Sequence, residues 1–271
     1  MPLSQTLAGF SLRGVRVSRS GRGVIDGLDL DLGGAGIVGL IGPNGAGKTT
    51  LLKTLMGFLA PDTGSVHFES KPVAGWDRAA LACRVGYLAQ GAPCFWPMTV
   101  ENVVGLGRTP HHRRFGPDGA KDRAAVGAAL AATGVEHLRG RSALDLSGGE
   151  RVRVMLARVL AGAPDVLLAD EPVAGLDPHY QLQVMEVLRA SADAGRTVVV
   201  VLHDLTLAAR FCDRVVLLDY GRVAADGAPI DVLSPESLHE VFGVTALVGR
   251  HREALYVLPW SLSQPTARAA E

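Results

Sequence analysis

The stretch GPNGAGKT, from Gly42 to Thr49, decides the fold of this 271-residue chain. It fits the pattern G-x-x-x-x-G-K-[ST], a glycine-rich loop that joins a buried strand to a helix. An apolar run at residues 37–41 precedes it. Residues 49–58 follow it with a helical pattern of apolar side chains at Leu51, Leu52, Leu55 and Phe58. Backbone N–H groups in such a loop converge on phosphate oxygens at the start of the helix, so the stretch predicts a nucleotide-binding loop.

Strands and helices alternate along much of the chain. Three apolar runs rich in β-branched residues each predict a strand buried on both faces, at residues 37–41, 166–169 and 198–202. Residues 180–189 carry a helical pattern, with Asp177 as a good N-cap and Pro178 at the first helical position. This alternation predicts an α/β layer fold.

Other stretches carry different patterns. Residues 12–32 alternate around a glycine-rich turn, which predicts antiparallel strands beside the main sheet. From about residue 91 to 160 the strand patterns vanish and the sequence becomes alanine-rich, which predicts an inserted helical subdomain. After residue 244 there is no strong pattern, and we expect the last few residues to be frayed. We therefore predict one domain over residues 1–271, with a nucleotide-binding α/β core at 1–90 and 161–243, a helical subdomain at 91–160 and a C-terminal extension at 244–271.

Composition and charge exclude several functional classes. Lys plus Arg and Asp plus Glu number 27 each, so no basic field favours nucleic acid as a partner. No apolar run approaches the roughly 20 residues that cross a bilayer, and the start of the chain lacks the pattern of a secretory signal. The cysteines, Cys83, Cys94 and Cys212, lack the spacing of a zinc site or a disulfide framework, which is typical of reduced thiols in the cytosol.

Acidic residues and a histidine follow two of the predicted strands. Asp170 and Glu171 close the second run, and His203 closes the third. Because ligands gather at the carboxyl ends of parallel strands, we expect these side chains at the same edge as the phosphate loop. Taken alone, two such acids are sometimes only solvated, and a histidine followed by an aspartate is more often a helix-start residue. The phosphate loop favours the catalytic interpretation of the acids.

A second glycine-rich segment, LSGGE, occupies residues 146–150, and its serine lies 99 residues after Lys48. It fits the capping box S-x-x-E, with Ser147 as N-cap and Glu150 at the third helical position. A helix N-terminus with two glycines and a hydroxyl is also a good receptor for a γ-phosphate. The cap and the phosphate contact do not compete, so the segment is compatible with both.

The phosphate loop and the LSGGE segment together resemble the motifs of ATP-binding-cassette (ABC) ATPases, over about residues 12–244. Glu150 replaces the commoner glutamine of that family. The resemblance implies an α/β P-loop NTPase (RecA-like) core with an antiparallel β subdomain and an inserted helical subdomain. It also implies ATP hydrolysis by a head-to-tail homodimer, in which each copy completes the ATP site of the other.

The resemblance implies a role for each motif residue. Catalysis would rest on Glu171, His203, Gln90 and Lys48. Mg²⁺ would be held by Thr49, Gln90 and Asp170. ATP would be contacted by Gly42, Pro43, Asn44, Gly45, Ala46, Gly47, Lys48, Thr49, Thr50, Ser147, Gly148, Gly149, Asp177 and Arg19.

Arg19 departs from the family pattern. The family usually stacks adenine on an aromatic residue about 29 positions before the lysine, and no Tyr, Phe or Trp lies within residues 18–23. A guanidinium can stack on a purine face. A solvated arginine is the alternative of equal weight, so nucleotide affinity and selectivity stay open.

Softer signals resemble the subgroup that serves bacterial importers of iron–siderophore, haem and cobalamin. They include residues 99–104, the GRTPH stretch at 107–111 and the LHDL stretch at 202–205. The resemblance implies two transmembrane permease subunits as partners and, indirectly, a periplasmic or extracellular substrate-binding protein. It implies a location at the cytoplasmic face of the inner (plasma) membrane, held there by the permease.

Two further clusters near residue 100 have alternative interpretations. Trp96, Pro97 and Met98 are candidates for the permease contact or, with equal weight, for core positions. His111 and His112 suggest a metal site, but adjacent residues do not share a helix face, which favours a solvated pair.

Several rival functions are weighed against the ABC importer. An ABC ATPase with another cargo, or an exporter, is the first alternative. A non-transport ABC protein of DNA repair or translation would carry a long coiled coil or a second cassette. A nucleotide-binding regulator without turnover would not need Glu171 and His203, and a P-loop kinase would have no use for LSGGE. The cargo stays open, because it never touches such a motor subunit.

Overall fold

The computed structural model of the chain describes residues 8–91, 97–112 and 119–263. Within these ranges the strands are β1 Phe10–Arg19, β2 Arg22–Leu32, β3 Gly36–Ile41, β4 Thr63–Phe68, β5 Lys71–Pro72, β6 Val85–Leu88, β7 Val166–Asp170, β8 Thr197–Val201, β9 Arg214–Asp219, β10 Arg222–Gly227, β11 Val244–His251 and β12 Ala254–Leu262. The α-helices are α1 Lys48–Leu55, α2 Arg78–Arg84, α3 Val100–Gly105, α4 Ala120–Ala132, α5 Gly148–Ala161, α6 Pro178–Asp193, α7 Leu205–Phe211, α8 Pro229–Val232 and α9 Pro235–Phe242. Short 3₁₀ helices lie at Val73–Gly75, Leu106–His111, Glu136–Leu138 and Ala143–Asp145.

A central sheet has the strand order β10-β9-β3-β8-β7-β6. Its neighbours pair in parallel except β10, which runs antiparallel to β9. The valines of β8 are fully buried, as expected for a strand covered on both faces. The three apolar runs therefore form strands as predicted, and the carboxyl ends of β3, β7 and β8 meet at one edge.

The second sheet, β2-β1-β4-β5, is antiparallel and confirms the expectation for residues 12–32. Its inward side chains share a buried cluster with α1 and one face of the central sheet. Phe10 and Phe68 pack in this cluster with ring centroids 5.0 Å apart. The two sheets thus enclose the helix that follows the phosphate loop.

Helix α1 is shorter than predicted. It ends at Leu55, and Gly57 takes a left-handed φ of 65°. The turn carries Phe58 away from the apolar face of the helix, and its side chain is 61% exposed. Glycine takes this conformation without the steric cost of a Cβ, so it stops the helix although the apolar spacing continues.

Helices α3, α4 and α5 dominate the described residues between 97 and 161, where the strand-like pairing is an isolated bridge between Thr99 and Ser142. Their buried side chains join the same cluster that covers one face of the central sheet. The helical pattern is as predicted, while the subdomain boundaries stay a prediction. In the described ranges, no helix is both long enough and apolar enough to cross a membrane.

The tail forms a hairpin that the sequence pattern did not indicate. Strands β11 and β12 pair antiparallel, with a register shift near Pro259. Leu255 and Val257 face inward, and the Thr206 hydroxyl bonds both backbone groups of Val257, donating to its oxygen at 2.7 Å and accepting from its nitrogen at 3.1 Å. The predicted fraying concerns the last few residues of the chain, which lie outside the described ranges.

Candidate nucleotide-binding site

The phosphate loop runs from the end of β3 to the start of α1. Its backbone passes so close to neighbouring chain segments that side chains cannot fit at two of its glycines. A Cβ at Gly42 would lie 2.1 Å from the carbonyl oxygen of Leu218, and a Cβ at Gly47 would lie 2.9 Å from that of Val24. Gly45 and Gly47 take φ values of 84° and 98°, which favour glycine. The loop therefore depends on glycine at Gly42 and Gly47, which the motif specifies, and also at Gly45, which it leaves open.

Lys48 lies inside this loop. Its side chain is only 5% exposed, and Nζ donates to the carbonyl oxygens of Gly42 and Pro43 at 2.6 and 2.9 Å. Burial lowers the pKa of Lys48, while the nearby carboxylates of Glu171 and Asp170 oppose that shift. Lys48 Nζ and the backbone amides at the start of α1 therefore lie close together, and such a group of donors suits the phosphates of a nucleotide.

Asp170 ends β7 and is 1% exposed. Oδ1 accepts from the Thr49 hydroxyl at 3.1 Å, and Oδ2 accepts from the Tyr87 hydroxyl at 3.2 Å. Burial raises the pKa of Asp170, and the two hydrogen bonds act against that shift. Mg²⁺ binds oxygen ligands such as carboxylates and hydroxyls, so Thr49 and Asp170 fit the magnesium ion that the sequence resemblance implies.

Glu171 joins two other predicted residues. One carboxylate oxygen accepts from Gln90 Nε2 at 2.6 Å, and the other is 2.7 Å from His203 Nε2. Gln90 follows β6 and His203 follows β8, so side chains from three strand ends meet at one carboxylate. Glu171 also has a φ of 50°, an uncommon and costly conformation for a residue with a side chain. The structure thus brings Gln90, Glu171 and His203 into contact, and their catalytic roles stay predictions.

The LSGGE segment begins α5 with the predicted capping box. Ser147 Oγ accepts from the Glu150 backbone nitrogen at 3.3 Å, and Glu150 Oε2 accepts from the Ser147 nitrogen at 2.8 Å. The Ser147 backbone bond is the main cause that lowers the pKa of Glu150. Ser147 and Gly148 are exposed, so the open helix N-terminus faces solvent.

Gly149 is the tightly packed glycine of this segment. A Cβ there would lie 2.4 to 2.7 Å from three carbons of the Tyr180 ring, whereas a Cβ at Gly148 would find its nearest neighbour at 3.9 Å. Tyr180 also packs against the guanidinium of Arg153, 5.4 Å from the ring centroid. Asp177 caps the helix that carries Tyr180, accepting from the nitrogens of residues 179 and 180. Its predicted N-cap position is thus confirmed.

The remaining predicted contacts occupy more peripheral positions. Arg19 ends β1 at the hairpin turn and is exposed, paired in register with Arg22. Asn44 and Gly45 are exposed at the loop tip, while Ala46 is buried beneath it. Thr50 lies in the first turn of α1, where its carbonyl oxygen accepts from Thr54. Stacking of a base on Arg19 stays a prediction.

His111 and His112 contact different groups. His111 Nε2 lies 2.8 Å from the carbonyl oxygen of Gly162, while His112 Nε2 lies 3.3 Å from Asp122. They serve separate contacts, and the described part of the chain has no cluster of three or more His, Cys, Asp or Glu side chains suited to a metal. Pro97 is exposed and Met98 packs on the core, whereas Trp96 lies outside the described residues.

Tyr87 is the residue of this site that sequence reasoning missed. Burial, with a further contribution from the Asp170 carboxylate, raises the pKa of its hydroxyl, so the group keeps its proton and donates. Its place three residues before Gln90 on a strand beside β7 was the available signal.

Comparisons with known proteins agree with this geometry. The family model described as ABC transporter matches residues 25–174. The chain is 47% identical over 244 residues to the hemin import ATP-binding protein of Pseudomonas fluorescens, covering 88% of this chain and 94% of that protein. It is 41% identical over 263 residues to the cobalamin import ATP-binding protein of Halobacterium salinarum, covering 97% of this chain and 66% of that protein.

A solved structure shares the fold. It is an inward-facing transporter provisionally described as of the metal-chelate ABC type, with a TM-score of 0.81 over 95% of this chain and 98% of the matching chain. Its sequence identity is 23%, so the likeness concerns the fold alone. The family match and the two import relatives carry the assignment further: this chain belongs to the ABC transporter family.

Proposed function

We propose that this chain is the ATP-hydrolysing subunit of an importer for metal chelates of the haem, cobalamin or iron–siderophore type. One observation carries the hydrolytic part: Gln90 and His203 both contact the Glu171 carboxylate, beside the Thr49–Asp170 pair. A protein that only binds nucleotide has no need of this arrangement. The import relatives, one for hemin and one for cobalamin, support the cargo class.

Binding begins with the phosphates. Lys48 and the loop amides from Gly45 to Thr49 would hold the β- and γ-phosphate oxygens, with Lys48 exchanging its carbonyl contacts for phosphate. Thr49, Gln90 and Asp170 would hold Mg²⁺, which when bound supplies positive charge to the β- and γ-oxygens. The Thr49 hydroxyl, which donates to Asp170 Oδ1, and the Asp170 carboxylate supply the oxygen ligands that support this choice.

Catalysis would then rest on positioning and proton transfer. A Glu171 carboxylate oxygen would accept a proton from the attacking water, a contribution of about 10²- to 10⁴-fold for a well-placed base. His203 and Gln90 would fix the two oxygens of that carboxylate. The strained backbone of Glu171 supports this role, because such strain clusters at functional sites.

A complete site would need a second copy of the chain. Among the described residues, no hydrogen bond or ion pair joins Ser147, Gly148 or Gly149 to the phosphate loop. We propose that two chains associate head to tail, so that the exposed N-terminus of α5 from one copy covers the γ-phosphate held by the other. Asp177 would contact the opposite copy near the same interface.

The base end of the site would be formed at the β1–β2 turn. We propose that the exposed Arg19 guanidinium stacks on the adenine in place of an aromatic ring. Equilibrium titration of an Arg19→Ala variant with ATP is the test. An affinity equal to that of the parent chain would exclude the stacking.

The membrane partners complete the proposal. Two permease subunits would dock on the helical region, with Pro97 as an exposed candidate contact and Trp96 beside it in sequence. The chain would then lie at the cytoplasmic face of the inner membrane, and a binding protein outside would deliver the cargo. No nucleic acid enters the proposed cycle.

The experiment is steady-state phosphate release by the chain in complex with its permease subunits, reconstituted in lipid vesicles. Haem, cobalamin and a ferric siderophore are each supplied with the binding protein. We expect release in Mg-ATP that one of these cargos stimulates and that Lys48→Ala abolishes. Release that never exceeds the Lys48→Ala background would contradict hydrolysis, and stimulation by none of the three would contradict the cargo class.

A further inference from the structure

Both oxygens of the Asp170 carboxylate are occupied by hydroxyl donors from different elements. Thr49 on α1 donates to Oδ1, and Tyr87 on β6 donates to Oδ2. A carboxylate turns about a broad, roughly two-fold torsion, so one donor leaves its plane loosely set while two donors on opposite oxygens fix it. Thr49 is itself a proposed Mg²⁺ ligand. Of the two donors, Tyr87 is the one without an assigned task.

The position of Tyr87 is set by the pairing of its strand and by a second aromatic ring. Strand β6 pairs in parallel with β7, with Tyr87 opposite Leu168 and therefore two residues before Asp170 in register. The ring also meets Phe58 edge-on, with centroids 6.2 Å apart and planes at 71°. Such edge-to-face pairs are favourable aromatic contacts.

The exposure of Phe58 needs an explanation. Its ring is 61% exposed although it follows directly on the turn that ends α1. The edge-to-face contact with Tyr87 holds the Phe58 ring on one side. The result is a continuous contact from an exposed ring, through a phenol, to a carboxylate that is 1% exposed.

We propose that Tyr87 is a positioning residue that fixes the Asp170 carboxylate for Mg²⁺, and that Phe58 steadies the Tyr87 ring from the solvent side. This inference rests on the proposed function, because it takes Asp170 to be a ligand of Mg²⁺. Removing the hydroxyl leaves Oδ2 buried without its donor and frees the carboxylate to turn. The ring can stay in place without the hydroxyl, so the effect is separable from packing.

The test is Mg²⁺-dependent binding of the β,γ-imido analogue of ATP to the full chain, measured by calorimetry. For Tyr87→Phe we expect the Mg²⁺ concentration at half-saturation to rise about tenfold, because a carboxylate that is free to turn must be ordered when it binds the ion. Binding of the same analogue in EDTA should equal that of the parent chain. A half-saturation point within twofold of the parent would overturn the inference.

Tyr220→Phe is the matched control for loss of a phenolic hydroxyl, because Tyr220 is 77% exposed on a turn of the chain. It should behave as the parent in both measurements. If it shifts the Mg²⁺ dependence as much as Tyr87→Phe does, the effect is not specific to Asp170 and the inference fails.

A double-mutant cycle tests the part assigned to Phe58. Phe58→Ala should raise the half-saturation point by a few-fold in the parent and should add nothing in the Tyr87→Phe background, because the hydroxyl it steadies is gone. Equal effects in both backgrounds would show that Phe58 acts by another route. Thermal unfolding without Mg²⁺ identifies any variant that fails to fold.

Asp170→Asn separates failure of this inference from failure of the proposed site. If Asp170→Asn loses Mg²⁺ dependence and Tyr87→Phe keeps it, only the positioning role is wrong. If Asp170→Asn also binds with the Mg²⁺ dependence of the parent, the proposed magnesium site is wrong, and this inference falls with it.

Discussion

The strand-end cluster comprises Thr49, Tyr87, Gln90, Asp170, Glu171 and His203 beside the phosphate loop, and it is built differently from the LSGGE segment. In the strand-end cluster, Thr49 and Tyr87 each donate to the Asp170 carboxylate, and Gln90 and His203 both contact the Glu171 carboxylate. In the LSGGE segment the polar groups bond within their own helix end, where Ser147 and Glu150 satisfy each other.

This difference shows how much of each site one chain can build. The strand-end cluster is preorganised by contacts between residues far apart in sequence, so its geometry needs no partner. The LSGGE segment is a capped helix end with Ser147 and Gly148 exposed. Its cap is complete, but its proposed phosphate contact requires a second copy. Substitutions in the two regions should therefore fail in different ways.

Glu171→Gln is the change expected to have the largest effect. Glutamine keeps the shape and one acceptor oxygen but cannot take a proton from water, so phosphate release should fall by about 10²- to 10⁴-fold. ATP binding should survive, and the two chains should stay associated in Mg-ATP. Phosphate release and light scattering measure the two outcomes.

Glu186→Gln provides the matched control, because Glu186 is exposed on α6. It should leave both phosphate release and mass unchanged. A persistent monomer of Glu171→Gln in Mg-ATP would count against the head-to-tail dimer.

Gly149→Ala should damage the LSGGE segment through packing. The added methyl would overlap the Tyr180 ring at 2.4 Å, and we expect a loss of about 1–3 kcal/mol in the free energy of unfolding, as for other overpacked sites. Denaturant unfolding measures the loss. Gly148→Ala has open space and should stay within about 0.5 kcal/mol of the parent.

The same pair also probes the dimer. A methyl at the exposed Gly148 would stand where the partner's γ-phosphate is proposed to lie, so Gly148→Ala should fold normally but associate poorly in Mg-ATP when combined with Glu171→Gln. Association equal to that of Glu171→Gln alone would show that this helix end is not the phosphate contact.

Ser147→Ala should have a smaller effect on stability. Loss of an N-cap side chain costs about 1 kcal/mol, or about 2–4 °C in melting temperature for a chain of this size. Ser147→Gly should recover most of that loss, since glycine is a tolerable N-cap. Both variants lack the hydroxyl, so both should weaken association in Mg-ATP. Binding of ATP to the monomer should be unchanged, and a loss there would mean that the two regions meet within one chain.

Glu150→Gln should give the smallest effect, and it should depend on pH. The folded chain lowers the pKa of Glu150 below 4.5, so its carboxylate stabilises the fold at pH values above that point and loses this contribution as the pH falls through the folded pKa. A carboxylate at a helix N-terminus contributes about 0.3–1 kcal/mol.

Unfolding of parent and Glu150→Gln chains at pH 7 and near pH 3 measures this contribution. The difference between the two chains should be present at pH 7 and shrink in acid. A difference that grows in acid would contradict the hydrogen-bonded, ionised carboxylate described for the capping box.

Most of the strand-end cluster was predictable, because all of its residues except Tyr87 belong to a recognisable local pattern. A buried run ends, and the next polar side chain lies at the carboxyl edge of the sheet. This reasoning predicts that Asp170, Glu171 and His203 lie at the same sheet edge as the phosphate loop. Tyr87 was not predicted because its bond to Asp170 crosses between strands, and a tyrosine in a strand is ordinarily explained by packing alone.

The hairpin of β11 and β12 escaped prediction for a different reason. Its outer face is apolar, with Trp260 at 68% exposure and Leu262 at 84%, so the expected alternation of buried apolar and exposed polar residues is blurred. Pro259 and the register shift beside it interrupt the pattern further. At Phe58 the error is the opposite one, because the sequence pattern predicts more structure than is present. The helical spacing of apolar residues continues to Phe58, although α1 ends at Leu55 and Gly57 turns the chain.

The left-handed backbone of Glu171 has a consequence for how this chain can change. Such a conformation costs about 1–3 kcal/mol for a residue with a side chain, and glycine would relieve much of it. Selection for heat resistance alone would therefore favour glycine at residue 171, whereas selection for transport would retain the acid. Variant libraries of this chain that are selected for heat resistance or for transport should therefore differ at residue 171. The residue found there would show which of the two properties was selected.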